Sequence, residues 1–336
     1  MILVTGATGL VGSHLLCTLL EQGKAVRAIF RDSNRIDLFN AMAQYYPEAH
    51  KRLHKVDWVQ ADLLDLSSLS RACEGIRHIY HAAAYISFDP SEHSKLRKIN
   101  IEGTANLINV ALNNGVESLC HISSVATLGE PLNNAPISET TEWNPAKPGS
   151  AYAISKYGAE MEVWRGAQEG LKVSMVLPGV ILGEGFWDSP SGSLIPRAAK
   201  GLPFYTGGGS GFVDVKDVVR AAILTSNTEK AQGQKYLLVG ANITYKDFFT
   251  QLAAYLGNKA PKRQAPKWLL HVLAFLDGIR SKLSSKPREL SQDLVHSLYN
   301  QELYSSSKIE QELKFEFTPI SETLERICTA FNEWNP

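Results

Sequence analysis

Cysteine is scarce in this chain: four residues in 336, at positions 17, 73, 120 and 328, with no C-x-x-C pair among them. That scatter argues against a disulfide framework and fits a reducing compartment; no residue is assigned to a metal. Net charge is absent too. The 34 basic and 34 acidic side chains cancel, so the totals give no electrostatic support for a nucleic-acid partner or an anionic membrane. No apolar run reaches the length of a spanning helix, and no stable membrane insertion is expected. The nearest run, Trp268 to Leu276, is short and broken by His271; it reads as a helix buried in a core or lining an apolar pocket. No basic n-region precedes the opening Met1-Ile2-Leu3-Val4-Thr5-Gly6, and the expected location is cytoplasmic. Internal repeats and low-complexity tracts are also missing.

What is there begins with alternation. Short apolar runs are expected as strands at Ile2–Thr5, Ala25–Phe30, Asp57–Ala61, His78–His81, Ser118–Ser123, Lys172–Leu177 and Lys235–Val239. Helical patterns at Leu10–Gln22, Ser67–Cys73, Lys95–Asn113 and Ala151–Gln168 separate them. Strands alternating with helices predict an α/β fold: a Rossmann-type, doubly wound parallel sheet. The second half differs. Gly183–Pro196 is rich in Gly, Ser and Pro, Gly207–Gly211 is a loop by composition, and from Thr244 the pattern is mostly helical, punctuated by Pro261, Pro266 and Pro287. The expected division is a dinucleotide-binding domain at 1–179 plus 213–240, and a smaller, mostly helical substrate lobe at 180–212 plus 241–336. Ligands of such sheets sit in the crevice beyond the carboxyl ends of the strands.

Thr5-Gly6-Ala7-Thr8-Gly9-Leu10-Val11-Gly12 joins the first strand to the first helix with G-x-x-G-x-x-G spacing. Gly6 permits a tight turn, Gly9 lets backbone approach a pyrophosphate, and Gly12 lets the helix sit close to the strand. The helix amino terminus offers free N–H groups and a favourable field, so Gly6, Thr8, Gly9, Leu10, Val11 and Gly12 are expected to bind a dinucleotide. Past the second strand the chain reads Phe30-Arg31-Asp32. Arg31 comes first, placed to meet a 2′-phosphate in a forked contact, which favours NADP(H). The alternative is that Asp32 takes the ribose and the cofactor is NAD.

Tyr152 and Lys156 form Y-x-x-x-K inside a helical pattern, so phenol and ammonium share one face. A free phenol, with a pKa of about 10, is a poor base at neutral pH; a nearby cation stabilises the phenolate and makes proton transfer possible. Ser124 follows an expected strand and emerges at the crevice, where its hydroxyl can hold a substrate oxygen. Ser123 competes, but alternation lets only one of the two face the pocket, and the choice here is Ser124.

The segments TGATGLVG, HISSVATLG and YAISK, in this order, resemble the extended short-chain dehydrogenase/reductase family, also called the NAD-dependent epimerase/dehydratase superfamily. The resemblance extends over nearly the whole chain. It implies that Asp62 and Leu63 meet the adenine, that His81, Ala82, Ala83 and Ala84 wall the ribose and nicotinamide, and that Asn100 belongs to a helix-borne asparagine motif. It implies that Pro178, Gly179 and Val180 meet the carboxamide, that Lys156 also holds the nicotinamide ribose, and that the chain forms a homodimer through two helices per subunit, one of them Ala151–Gln168. Its implied chemistry is hydride transfer with Ser124, Tyr152 and Lys156 as triad.

Sugar-nucleotide members often carry an asparagine soon after the sixth strand and an arginine just before an F-V-x-V stretch, which here reads Phe212-Val213-Asp214-Val215. Here Pro178-Gly179-Val180-Ile181-Leu182 and Gly209-Ser210-Gly211-Phe212 stand in those places. With both polar grips missing, and with Phe186 and Trp187 beside the apolar 268–276 run, the pattern is nearer the dihydroflavonol reductase and 3β-hydroxysteroid dehydrogenase branch. The expectation is an NADP(H)-dependent oxidoreductase for the carbonyl or alcohol of a small, partly hydrophobic molecule. The alternatives are an NAD-dependent sugar or nucleotide-sugar epimerase or dehydratase, and a non-enzymatic dinucleotide sensor. The last conflicts with the intact Tyr152–Lys156 pair, which related sensors tend to lose.

Overall fold

Neighbouring residues of an extended strand point to opposite faces, and this chain buries both. The computed structural model describes residues 1–131, 135–147, 149–284, 288 and 290–334. Its strands are β1 (Ile2–Thr5), β2 (Val26–Phe30), β3 (Asp57–Gln60), β4 (His78–His81), β5 (Ser118–Ile122), β6 (Lys172–Pro178), β7 (Val180–Leu182), β8 (Phe204–Tyr205), β9 (Gly209–Asp214), β10 (Gln234–Leu238), β11 (Ala241–Thr244) and β12 (Arg263–Gln264). Seven of them form one parallel sheet in the order β10-β6-β5-β4-β1-β2-β3.

Val4, Ala28, Tyr80, Cys120, Val176 and Tyr236 pack into one core with the helices Leu10–Glu21, Asn34–Ala43 and Val215–Asn227. Leu3, Ile29, Ile79, Leu119, Met175 and Leu237 pack into the other, under Leu66–Cys73, Gly103–Asn113 and Ala151–Gln168. A sheet covered on both faces reads as near-continuous apolar runs, which is why its seven strands are legible in the sequence. The expected Lys95–Asn113 helix forms with a difference: Arg97–Glu102 is π-helical between α-helical His93–Leu96 and Gly103–Asn113.

Gly207–Gly211, expected as loop, is partly strand. Gly209 and Gly211 lie in β9, between β7 and β11. A Cβ at Gly209 would come 2.7 Å from the Ile243 carbonyl, and one at Gly211 2.7 Å from Val239. The glycines serve close backbone approach rather than a turn. This three-stranded sheet carries a third core, in which Phe212 and Phe248 stack with centroids 4.5 Å apart. The helix Ile320–Trp334 closes it and reaches back through Arg326, which holds Glu184 (2.8 Å) and Asp214.

The helix Lys267–Ser284 overturns one expectation. Its large apolar residues are mostly not buried: Trp268, Val272, Phe275, Leu276 and Ile279 are all exposed. The face that packs inward carries Ala274 and Gly278 instead. Pro287, expected as punctuation, lies outside the described residues. No helix among those residues is long and apolar enough to cross a membrane.

Candidate active site

The carboxyl ends of the parallel strands bring most of the expected site residues to one edge. Gly6 follows β1, Arg31 β2, Asp62 β3, Ala82–Ala84 β4, Ser124 β5, and Pro178 ends β6. Gly6 has φ +67°, a left-handed conformation, and a Cβ there would lie 2.6 Å from the Ala83 amide nitrogen. A Cβ at Gly12 would lie 2.1 Å from the Gly6 carbonyl. Only glycine meets both demands. Gly9 is different: a Cβ there would meet nothing nearer than the Gly6 carbonyl at 3.4 Å, so internal packing leaves room above the turn. The helix that starts here has no side-chain cap and no acid in its first turn. An uncapped amino terminus beneath an open glycine fits a dinucleotide's phosphates. Thr8, Leu10 and Val11 are half-buried around it.

Arg31, Gln60, Ala61, Asp62, Asp65, Ser68 and Arg71 line a cavity of about 370 Å³ past β2 and β3. Asp62 accepts from the Leu64 amide (2.9 Å). Asp32 accepts from the Asn34 amide (3.0 Å), so one of its oxygens already serves the next helix, while exposed Arg31 turns toward the cavity. Leu63 is buried under Gly103, whose missing Cβ would meet it at 3.0 Å.

His81 is placed differently from a cofactor wall. Its ring is fully buried, bonded at Nδ1 to Thr5 (2.8 Å) and at Nε2 to Thr104 (2.9 Å). Burial, then the Lys156 charge, lowers its pKa to about 3. It pegs β1 to β4 and leaves only backbone for a ligand; Ala82 and Ala83 are half-buried and Ala84 is exposed. The Asn100 amide is also occupied. It accepts from the Tyr85 amide (2.7 Å) and donates to the Tyr85 carbonyl and to Ser155 Oγ (both 2.9 Å). Ser155 in turn donates to the Tyr152 carbonyl (2.8 Å), so Asn100 braces the helix that carries the phenol. Gly179 passes against the Gly211 carbonyl, 2.4 Å from where a Cβ would sit, between Pro178 and half-buried Val180.

Ser150 caps the helix Ala151–Gln168 by accepting from the Ala153 amide (3.2 Å). Tyr152 therefore sits in the first turn and Lys156 in the next. Alternation separates the two serines. Ser123 points inward and donates to Glu160 (2.5 Å), whereas Ser124 caps the short turn Val125–Thr127 and lies close enough to the Tyr152 phenol to lower its pKa. Burial raises the phenol's pKa above the ordinary tyrosine value, and the Ser124 contact offsets this only in part. The phenol is thus a neutral acid at neutral pH. Its ring lies 6.0 Å from exposed Phe88.

The Lys156 ammonium, almost fully buried, donates to the Ile122 carbonyl (2.8 Å) and lies 3.4 Å from His121 Nε2. Burial lowers its pKa to about 8, against the opposing pull of Glu160. Glu160 and His121 did not stand out in the sequence. Glu160 is buried, accepts from Thr127 (2.6 Å) as well as Ser123, and extends the four-residue spacing of Tyr152 and Lys156 by one more turn. That spacing was its only signal.

The model of the NAD dependent epimerase/dehydratase family matches residues 2–240. The chain belongs to that family. It is 31% identical over 329 residues to a "Putative dihydroflavonol 4-reductase" of Synechocystis sp., covering 96% of this chain and 91% of that protein. It is 31% identical over 278 residues to "Sterol demethylase protein B" of Methylococcus capsulatus, covering 82% and 80%. Among solved structures, gox2253 superposes with a TM-score of 0.81 at 28% identity, covering 100% of this chain and 98% of that one. UDP-glucose 4-epimerase of Thermotoga maritima superposes at 0.77 with 20% identity, a likeness of fold. The protein is thus an NAD(P)-dependent oxidoreductase of the extended short-chain dehydrogenase/reductase type, with a Rossmann-type sheet and a helical carboxyl-terminal part.

Proposed function

We propose that this enzyme uses NADPH to reduce the ketone or aldehyde of a small, partly hydrophobic molecule. The observation that carries the reading is the placement of the Tyr152 phenol: in the first turn of its helix, one turn before Lys156 and beside Ser124 at the carboxyl edge of the sheet, it keeps its proton at neutral pH. Such a group serves as acid toward a carbonyl oxygen that is gaining charge. The glycine turn and the amino terminus at Leu10 would hold the pyrophosphate. Asp62 and Leu63 would hold the adenosine, and the backbone of 81–84 and 178–180 would hold the nicotinamide end. Bound there, the cofactor supplies hydride to the carbonyl carbon. Tyr152 gives its proton to the oxygen, Ser124 keeps that oxygen in place, and the Lys156 ammonium favours the phenolate left behind. The net change is one carbonyl, one NADPH and one solvent proton consumed, and one alcohol and one NADP+ formed.

Arg31 supports NADPH over NADH: it faces a cavity at the adenosine end, and Asp32 is partly engaged elsewhere. Exposed Ile86 and Phe88, the latter beside Tyr152, support an apolar substrate body. The relatives' printed names, with their dihydroflavonol and sterol, agree. A homodimer through Ala151–Gln168 belongs to the same proposal, with Met161 exposed on that helix.

The test is purified protein with NADPH against a panel of aromatic, alicyclic and aliphatic carbonyls. NADPH oxidation with stoichiometric alcohol is the expected result. Tightly retained NAD with no net cofactor consumption would instead mark an epimerase.

A further inference from the structure

Surface helices of folded proteins turn their apolar stripe to the core. The helix Lys267–Ser284 turns its stripe outward. Trp268 is 67% exposed and Phe275 63%, and Val272, Leu276 and Ile279 are exposed with them. At 3.6 residues per turn, Trp268, Val272, Phe275 and Ile279 fall within an arc of about 60°, with Leu276 at its border. The opposite side and one edge of the stripe are attached to the protein by polar anchors. The Arg288 guanidinium donates to the Ala274 carbonyl (2.8 Å), Asp277 accepts from the Leu290 amide (2.8 Å), and His271 pairs with Gln292 (2.6 Å). The helix is therefore held in this orientation, and the patch is larger than scattered single apolar residues on a monomer's surface.

Charge identifies what covers it. Residues 259–288 contain eight lysines and arginines and a single acid, Asp277, in a chain whose overall charges cancel. Asp277 is paired with Arg280 (2.7 Å). Lys259, Lys262, Arg263 and Lys267 are exposed ahead of the apolar face. We infer that the outward face of Lys267–Ser284 docks this protein on the surface of an anionic lipid bilayer, lying in the plane of the headgroups without crossing it. Exposed basic residues running into an exposed apolar helix that carries Trp and Phe are the composition of an interfacial anchor. A second copy is a poorer fit, since two docked faces would bring two clusters of exposed lysine and arginine together.

The docked helix is tied to the candidate active site. The Arg288 amide donates to Asp89 (3.0 Å), and the adjacent Phe88 flanks Tyr152. Docking would hold that flank of the crevice beside the lipid surface. The docking itself stands on the helix and its charges, whichever reaction the site performs.

The test is co-sedimentation of the full chain with vesicles of phosphatidylglycerol mixed with phosphatidylcholine, and with phosphatidylcholine alone. Binding to the anionic vesicles is expected to be at least about tenfold stronger and to weaken with added salt. Trp268→Glu with Phe275→Glu, and separately Lys262→Glu with Arg263→Glu, should each weaken it by about tenfold or more. All four side chains are exposed, so an unchanged melting temperature confirms that the variants fold. Equal binding to both vesicle types, no binding, or undiminished binding by the Trp268/Phe275 variant overturns the inference. So does sedimentation equilibrium showing that this variant only converts a dimer to a monomer, which would assign the face to a second copy.

Discussion

Replacing Lys156 by Met should stabilise the folded chain at neutral pH while abolishing turnover. The ammonium is buried and has one close acceptor, the Ile122 carbonyl at 2.8 Å. Removal from water lowers its pKa from 10.5 to about 8. At about 1.4 kcal/mol per pH unit, keeping the amine protonated in the fold costs roughly 3 kcal/mol near pH 7. Methionine fills similar space without that cost. Against it stands the Ile122 carbonyl, which loses its donor at about 1–3 kcal/mol; Glu160 keeps Ser123 and Thr127. The net gain near pH 7 is thus about 1 kcal/mol. The sharper signature is the pH dependence. A depressed lysine pKa burdens the native state below about 8, and the burden lifts as pH rises toward 10.5, because the unfolded chain then holds more protons. Wild type should therefore gain on Lys156→Met by up to about 3 kcal/mol across that window. Urea titrations of both proteins, followed by tryptophan fluorescence at several pH values, measure the difference. Parallel stability curves from neutral to strongly alkaline pH would refute the reasoning.

Three other outcomes are expected. Arg31→Ala should weaken NADPH binding by about 10- to 100-fold, the worth of a charge-assisted contact, and leave NADH unchanged; equal loss for both contradicts the assignment. Reductive kcat/KM should be level below about pH 8 and fall above it as Lys156 loses its proton, so a profile that rises through that region is inconsistent with the role given to it. Arg326→Met should destabilise the chain by about 3–5 kcal/mol in urea, because buried Asp214 loses its bonded cation and buried Glu184 keeps only Lys216, at 3.5 Å; a loss under about 1 kcal/mol contradicts that.

The seven-stranded sheet was legible because each strand carries apolar residues for the faces that the helices cover, in segments short enough to read as strand. The glycine turn was legible because strand, turn and helix follow one another without a gap. Alternation also separates Ser123, bonded to Glu160, from Ser124, beside the Tyr152 phenol. What stayed hidden depends on distant partners. Gly209 and Gly211 look like loop until the Ile243 carbonyl and Val239 are seen against them. His81 and Asn100 sit in the expected segments, yet their side chains bond Thr5, Thr104, Tyr85 and Ser155. The 268–279 stripe has the same spacing whether it faces a core or solvent, so the pattern alone could not choose. Total charge concealed the basic stretch around it, since a balanced sum says nothing about where the charges lie.

The Tyr152→Phe variant tests the catalytic assignment most directly, with NADPH binding and carbonyl turnover measured on the same preparation. Turnover is predicted to fall by about 10²- to 10⁴-fold, the contribution of a positioned acid, while the NADPH dissociation constant stays within about threefold. A variant that keeps turnover within about tenfold of wild type would contradict the role of the phenol, and with it the proposed chemistry of the crevice.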